Sequence, residues 1–306
     1  MVLGIALAFA LALAGCSSAI IDANTLSAPR APPGSVPGHV YLLRGLIGEV
    51  FSLGFNDLAA RIRERGVEAS VSSMYTPGAL AGEIIAKYRQ APAPIVLIGH
   101  SSGADVAIGI AEGLRRANIP VAIMFGFDPT PIASRVPDNV ELFINLYQKT
   151  NLIGGGEARG VAGFRGRIVN VDLRDRREII HITLDKSPVL HALVADKIAL
   201  ILRAKMQQQA PPPPVRGRRP RGEPPPPAFV LPLFMRYLVP PDVPIVLWDS
   251  AVRTPLGPDE SVEAFAARVG APAWAIVSIN NIGAAEPPAP GTALLVPRIA
   301  NELTRP

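Results

Sequence analysis

Two residue types that often carry chemistry are scarce in this chain. Among its 306 residues there is one cysteine, and the four histidines are His39, His100, His181 and His191. A single cysteine excludes an intrachain disulfide and a cysteine-rich zinc site. Any histidine-dependent chemistry must use one of the four histidines. Charged residues make up only 18% of the chain, against 49% hydrophobic residues. This balance excludes a wholly disordered chain. The net charge of +5 does not by itself indicate a nucleic-acid partner, and none is expected.

The first fourteen residues lack charged side chains altogether. This apolar run is too short to cross a bilayer, which takes about 20 residues, and it fits the apolar region of an export signal. It ends in Leu13-Ala14-Gly15-Cys16, which resembles a bacterial lipobox. The resemblance implies a lipoprotein of the cell envelope, anchored to a membrane by acyl chains on Cys16. Residues 1–16 would form the signal and lipobox, and 17–37 a tether. Two alternatives stay open: a buried helix in which Cys16 only packs, and, since no Lys or Arg precedes the run, a start codon further upstream.

From residue 38 to residue 206, short apolar runs alternate with helical patterns. Strands are predicted at 40–43, 67–74, 94–99, 121–127, 140–147 and 167–173, and helices at 52–66, 78–89, 102–118 and 188–205. Buried strands that alternate with helices predict an α/β domain, with a mostly parallel sheet and helices on both faces.

Proline is concentrated at residues 207–228, where two four-proline runs flank a basic segment. Such a stretch cannot form a core and is typical of a stiff, extended linker. The sequence therefore predicts a boundary there, with a second, smaller module at 229–306.

The main chemical signal is Gly99-His100-Ser101-Ser102-Gly103. It follows a buried apolar strand and opens a helix, which is the strand–turn–helix setting that a G-x-S-x-G nucleophile elbow requires. The segment 40–205 resembles the α/β-hydrolase superfamily, especially its thioesterase and small lipase branches. The resemblance implies a serine hydrolase that cleaves an ester or thioester, with Ser101 as nucleophile.

The same resemblance implies the chain order serine, acid, histidine. Asp128 follows the strand next to the elbow unit, so it is the predicted acid, with Asp172 and Asp175 as weaker alternatives. His181 lies in a loop after the last of the predicted strands and is the predicted base. His191 lies inside the following helix and stays open as an alternative base.

Two backbone N–H groups are predicted to stabilise an oxyanion. One belongs to Ser102, immediately after the nucleophile, and the other to Leu46, in the loop after the first strand. That loop resembles the lipase H-G-x-x-G segment with Arg44 in place of the histidine. Arg44 could bind a substrate anion or form a salt bridge to Glu49 or Asp57. A glycine-rich segment at 152–165 is predicted to form a mobile flap.

The C-terminal segment 250–298 is predicted to fold as strand, helix, helix, strand. It resembles a LysM domain in its acidic start at Pro258-Asp259-Glu260-Ser261 and in the pattern P-G-x-x-L-x-x-P at residues 290–297. The resemblance implies binding to N-acetylglucosamine glycans such as peptidoglycan.

Together these patterns predict a membrane-anchored serine hydrolase with a glycan-binding module, and they imply no metal or organic cofactor. The alternative is a non-enzymatic envelope lipoprotein that binds peptidoglycan through a hydrolase-like scaffold. A deacetylase or amidase would use the same three residues on another substrate.

Overall fold

The computed structural model describes residues 36–46, 52–149, 153–209, 233–283 and 286–300. The predicted signal and lipobox with Cys16, nearly all of the tether, and residues 210–232, which include most of the proline-rich stretch, lie outside the described residues. The strands are β1 (His39–Leu43), β2 (Glu68–Ser72), β3 (Ile95–His100), β4 (Ile123–Phe127), β5 (Leu142–Tyr147), β6 (Arg167–Asp172), β7 (Leu233–Leu238), β8 (Ser250–Pro255) and β9 (Ala293–Arg298). The helices are α1 (Gly54–Glu64), α2 (Pro77–Gln90), α3 (Ser102–Arg116), α4 (Pro188–Gln209), α5 (Val262–Val269) and α6 (Ala273–Asn280).

Seven strands form one sheet in the order β2-β1-β3-β4-β5-β6-β7, and all six pairings are parallel. Successive side chains of a strand point to opposite faces, and the strands here are apolar on both. Val40 and Leu42 pack in one core with α1 and α4, whereas Tyr41 and Leu43 pack in another with α2 and α3. The prediction of a mostly parallel sheet covered on both faces is therefore confirmed.

The seventh strand changes the predicted domain boundary. The C-terminal module predicted at 229–306 includes Leu233 to Leu238, but these residues pair with β6 from Arg167–Leu233 to Asp172–Leu238. The proline-rich stretch thus connects α4 to β7 of the same sheet and does not space two independent modules. The boundary drawn at residue 229 is wrong for a physical reason: β6 offers a parallel edge, and β7 alternates buried and exposed residues as an edge strand does.

The last part of the chain packs directly against this sheet. It contains the predicted strand, helix, helix, strand, with β8 and β9 antiparallel. Trp248 and Trp274 form an aromatic cluster with Tyr237 of β7, with ring centroids 4.8 to 6.5 Å apart. The buried Lys197 of α4 donates to Asp249, also buried, over 3.3 Å. Its resemblance to a LysM domain stays a prediction.

Among the described residues, no single helix has the length and apolarity to cross a membrane. Helices α5 and α6 meet that test only as a pair, and they are bent by 110° relative to each other.

Candidate active site

The elbow at Ser101 is a sharp turn between β3 and α3. Ser101 has φ 54° and ψ −129°, a conformation that costs free energy in a residue with a side chain. The motif glycines are needed for close approach. A Cβ on Gly99 would overlap the backbone of Ala104, and one on Gly103 would overlap the carbonyls of Leu43 and Arg44. The turn therefore holds the Ser101 hydroxyl above the carboxyl end of the sheet.

The structure brings the three predicted side chains together. Ser101 Oγ lies 3.1 Å from His181 Nε2, and His181 Nδ1 lies 2.8 Å from Asp128 Oδ2. Sheet register explains part of this placement: His100 pairs with Phe127, so Ser101 and Asp128 each come one residue after paired positions. The hydroxyl can donate to Nε2 while Nδ1–H donates to the carboxylate, which is the arrangement a nucleophile, base and orienting acid require.

Polar contacts fix the loop that carries Asp128. Asp128 has φ 49° and is fully buried. Asp105 of α3 accepts hydrogen bonds from the backbone N–H and the hydroxyl of Thr130, two residues after Asp128.

The segment predicted to be a mobile flap lies next to this loop. Asn145 donates to the Gly156 carbonyl over 2.7 Å, and Asn170 exchanges hydrogen bonds with Ala158. Residues 156–158 are thus tied to β5 and β6, and the mobile flap at 152–165 stays a prediction.

His100, between the elbow glycine and Ser101, connects the loops of the site. Its Nε2 lies 2.9 Å from the carbonyl of His181, and its Nδ1 lies 2.8 Å from Ser52 Oγ. A carbonyl can only accept, so Nε2 carries the proton, Nδ1 accepts from the Ser52 hydroxyl, and Ser52 Oγ accepts from the N–H of Gly45 over 3.3 Å. Burial lowers the pKa of His100 to about 4, which keeps the ring in this neutral form.

One predicted oxyanion donor is available and the other is engaged. Ser102 is the first residue of α3, so its N–H has no intrahelical acceptor. The Leu46 N–H donates instead to Ser102 Oγ over 2.8 Å, and that hydroxyl donates to Met74 Sδ. Leu46 could serve an oxyanion only if the Ser102 hydroxyl yields its place, and its role stays a prediction. Arg44 donates to Asn56 Oδ1 over 2.6 Å and not to Asp57, one of its two predicted partners.

The alternative residues lie elsewhere. His191 is buried and its Nε2 donates to the carbonyl of Asp185 over 2.6 Å, and burial lowers its pKa. Asp172 is the last residue of β6, two strands from the strand that precedes Asp128, and forms an ion pair with Arg174. Asp175 is exposed beyond it. None of the three has a hydrogen bond to Ser101 or His181 among the described residues.

Exposed apolar side chains occur in the two segments that carry His181 and the Leu46 N–H. Ile180 and Ile182, which flank His181, are 45% and 48% exposed, and Leu46 is 61% exposed.

Sequence reasoning missed several supporting residues. Chain order argues against His100 as the base, but a histidine inside the elbow motif is a usable signal for a supporting role. Ser52 carries no local signal, since its contact depends on tertiary placement. Gln148 is buried after β5, and its amide donates to the carbonyl of Ile179 in the loop that bears His181.

Comparisons with known proteins give structural similarity only. No family model and no curated protein matches the chain. Among solved structures, the chain is similar to the NocB thioesterase domain from the nocardicin cluster, with 17% identity, a TM-score of 0.36, and 56% of this chain and 96% of that one covered. It is also similar to human thioesterase 2, with 13% identity, a TM-score of 0.34, and 55% and 96% covered.

A third similarity is to the RedJ thioesterase of prodiginine biosynthesis in Streptomyces coelicolor, with 21% identity and a TM-score of 0.26. That match covers 35% of this chain, and the chain spans less than half of RedJ, 45%.

Proposed function

We propose that this protein is a serine hydrolase of the α/β-hydrolase type that cleaves an ester or thioester. The observation that carries the proposal is the continuous hydrogen-bonded series from Ser101 through His181 to Asp128, at 3.1 and 2.8 Å. A strained serine at a helix N-terminus, beside a histidine oriented by a buried carboxylate, is poorly explained by packing alone.

The reaction follows from these positions. Ser101 Oγ attacks the substrate carbonyl as its proton passes to His181 Nε2, and the charge on the imidazolium is balanced by Asp128. The Ser102 N–H, at the positive end of α3, stabilises the tetrahedral oxyanion. His181 then gives its proton to the departing alcohol or thiol, which leaves an acyl ester on Ser101. A water molecule activated by the same histidine releases the acid and restores the hydroxyl.

The proposed setting is the cell envelope, with the chain anchored to a membrane by acylated Cys16 and binding glycan through its C-terminal part. The lipobox-like sequence supports the anchor, and the pattern of residues 250–298 supports the glycan. A Cys16→Ala variant should leave the membrane fraction or remain unprocessed. The full chain should sediment with insoluble peptidoglycan.

The enzymatic proposal is tested with a fluorophosphonate probe and mass spectrometry. The folded protein should gain one covalent adduct, which Ser101→Ala should lose and Ser134→Ala, at an exposed serine, should retain. His181→Ala should lower kcat by on the order of 10⁴–10⁶-fold. His191→Ala should keep turnover and act on stability, by about 1–3 kcal/mol.

Two results would overturn the proposal. Folded protein that takes no label would favour the alternative of a binding protein on a hydrolase-like scaffold. Loss of turnover in folded His191→Ala with turnover intact in His181→Ala would reverse the assignment of the base. A deacetylase or amidase differs only in substrate, so a panel of acyl esters, thioesters and amides separates them.

A further inference from the structure

A cleft lies beside the proposed active site, where the sheet meets the C-terminal part of the chain. Its volume is about 570 Å³, within the range of sites for small molecules. The sheet contributes the ends of β5, β6 and β7, and the C-terminal part contributes α6 and the residues after it. Ligands of parallel sheets bind outside the carboxyl ends of the strands, and this cleft occupies that position.

The lining combines an aromatic face with balanced charge. Trp274 of α6 is half-buried and lines the cleft. The charged side chains number three of each sign: Lys149, Arg174, Arg236, Glu157, Asp172 and Asp175. Zero net charge gives no advantage to a polyanion or a polycation, since either would leave half of these groups facing like charge.

Several polar groups of the cleft remain available to a ligand. Lys149 and Asp175 are exposed and form no salt bridge with a described residue. Tyr147 is 2% exposed and its hydroxyl forms no hydrogen bond to a described residue. Burial raises the pKa of Tyr147, and the carboxylates of Asp172 and Glu157 raise it further, so the hydroxyl is a neutral donor. The cleft therefore offers an ammonium and a hydroxyl as donors, a carboxylate as acceptor, and an indole.

We propose that this cleft binds a neutral oligosaccharide and that the sheet and the C-terminal part form the site together. A sugar ring matches the lining because it has an apolar C–H face for the indole and hydroxyls that both donate and accept. A second concavity, of about 540 Å³, shares Asn281, Ile282 and Gly283 with the cleft. Two adjoining concavities suit an oligomer better than one small molecule.

The cleft and the nucleophile lie on one edge of the sheet. Ser101 follows β3 and the cleft begins at β5 and β6, so strand spacing places them about 10–15 Å apart. The segment 154–157 joins them: Gly154 packs on the Asp128 carboxylate, and Glu157 forms an ion pair with Arg236 at 3.0 Å. An oligosaccharide held in the cleft could thus present an acyl ester to Ser101. This inference deepens the proposed function and rests on it for the acyl ester only.

The test measures the tryptophan fluorescence of the full chain, to which both tryptophans contribute. Only Trp274 lines the cleft, and Trp248 is 6% exposed. Soluble N-acetylglucosamine oligomers should change the tryptophan fluorescence in a saturable way. Lys149→Gln and Asp175→Asn should each weaken binding about tenfold, the effect of losing a hydrogen bond to a charged group. Glu64→Gln and Arg116→Gln, exposed charges outside the cleft, should leave binding unchanged.

No fluorescence change with the oligomers would overturn the proposal. Binding that survives both Lys149→Gln and Asp175→Asn would also overturn it, because the sugar would then lie on the C-terminal part alone. Tighter binding of inorganic phosphate or spermine than of the oligomers would contradict the neutral ligand.

A kinetic measurement separates this inference from the proposed function. With an acylated N-acetylglucosamine oligomer, the cleft variants should raise KM about tenfold and leave kcat and fluorophosphonate labelling intact. An unchanged KM with normal labelling would remove the cleft and leave the hydrolase standing. Intact sugar binding without fluorophosphonate labelling would overturn the proposed hydrolase and leave the sugar-binding cleft standing.

Discussion

At the scale of single residues, the site depends on His100 as well as on the three side chains of the proposed reaction. Its imidazole joins Gly45 and Ser52, in the segment predicted to stabilise the oxyanion, to the carbonyl of His181. A small displacement of a base can cost on the order of 100-fold in rate. We therefore propose His100 as a positioning residue that acts through the backbone of His181.

Two substitutions of His100 separate positioning from packing. His100→Leu removes the donor to His181 and should lower kcat roughly 10–100-fold with little change in KM. His100→Gln can place an amide N–H near the former Nε2 and should recover most of that loss. Equal loss of kcat in both variants would show that the imidazole is needed for some other reason.

The same variants have a signed effect on stability against pH. The unfolded chain protonates His100 near pH 6.5, whereas burial holds the folded pKa at about 4. Above about pH 6.5 the ring is neutral in both states and the free energy of unfolding is not reduced. As the pH falls from 6.5 towards 4, only the unfolded chain takes up the proton, so the free energy of unfolding decreases by about 1.4 kcal/mol per pH unit. The free energy of unfolding, measured with urea at several pH values between 4 and 6.5, should depend less steeply on pH in both variants, by about 1.4 kcal/mol per pH unit. An unchanged slope would mean that His100 is already protonated in the folded wild type.

At the scale of elements, the segment after β5 constrains the acid. A Cβ on Gly154 would overlap Asp128 Oδ1, so Gly154→Ala must move the segment or the carboxylate. We expect a loss of about 1–3 kcal/mol in stability and a lower kcat. Gly109→Ala in α3 is the control, since its Cβ meets no atom within 4 Å, and it should stabilise by up to about 1 kcal/mol. Unfolding curves measure the change in stability, and steady-state rates measure the change in kcat. A Gly154→Ala variant with normal kcat would show that this segment does not constrain Asp128.

The elements were predictable where a local pattern fixed them. Continuous apolar runs identified β1, β3 and β4, and the residues just after β3 and β4 supplied Ser101 and Asp128. The edge strand β7 was missed because it follows the proline-rich stretch. Its alternation of buried Leu233, Met235 and Tyr237 with exposed Phe234 and Arg236 was the available signal. Contacts between distant loops, such as Ser52 with His100, have no pattern that one sequence can show.

At the scale of the whole molecule, the C-terminal part packs against the sheet and does not stand apart on a spacer. Composition suggested a spacer, because the proline-rich stretch separates two folded segments in sequence. Composition alone cannot show that the chain returns to the same sheet. The aromatic cluster of Tyr237, Trp248 and Trp274 and the Leu238 N–H bonded to Ser278 Oγ at 2.7 Å join the two parts.

The buried pair of Lys197 and Asp249 gives the sharpest test of that union. Lys197 is 5% exposed and Asp249 fully buried, and Asp249 also accepts from the Ala300 N–H at 2.7 Å. Arg167 also lies 4.0 Å from this carboxylate, but Lys197 is the cation that donates a hydrogen bond to it. Lys197→Met leaves the buried carboxylate without its closest cation, so the free energy of unfolding should fall by about 3–5 kcal/mol. Adding Asp249→Asn removes the stranded charge and should restore part of the loss. Lys205→Met, on the same helix but in a more exposed pair with Glu141, should cost no more than about 1 kcal/mol.

The pair of Lys197 and Asp249 joins α4 to the segment before β8. The unfolding transitions of the wild type, followed by Trp fluorescence and by far-ultraviolet circular dichroism, should therefore coincide. Two separated transitions, with Lys197→Met shifting only one of them, would show that the parts unfold independently.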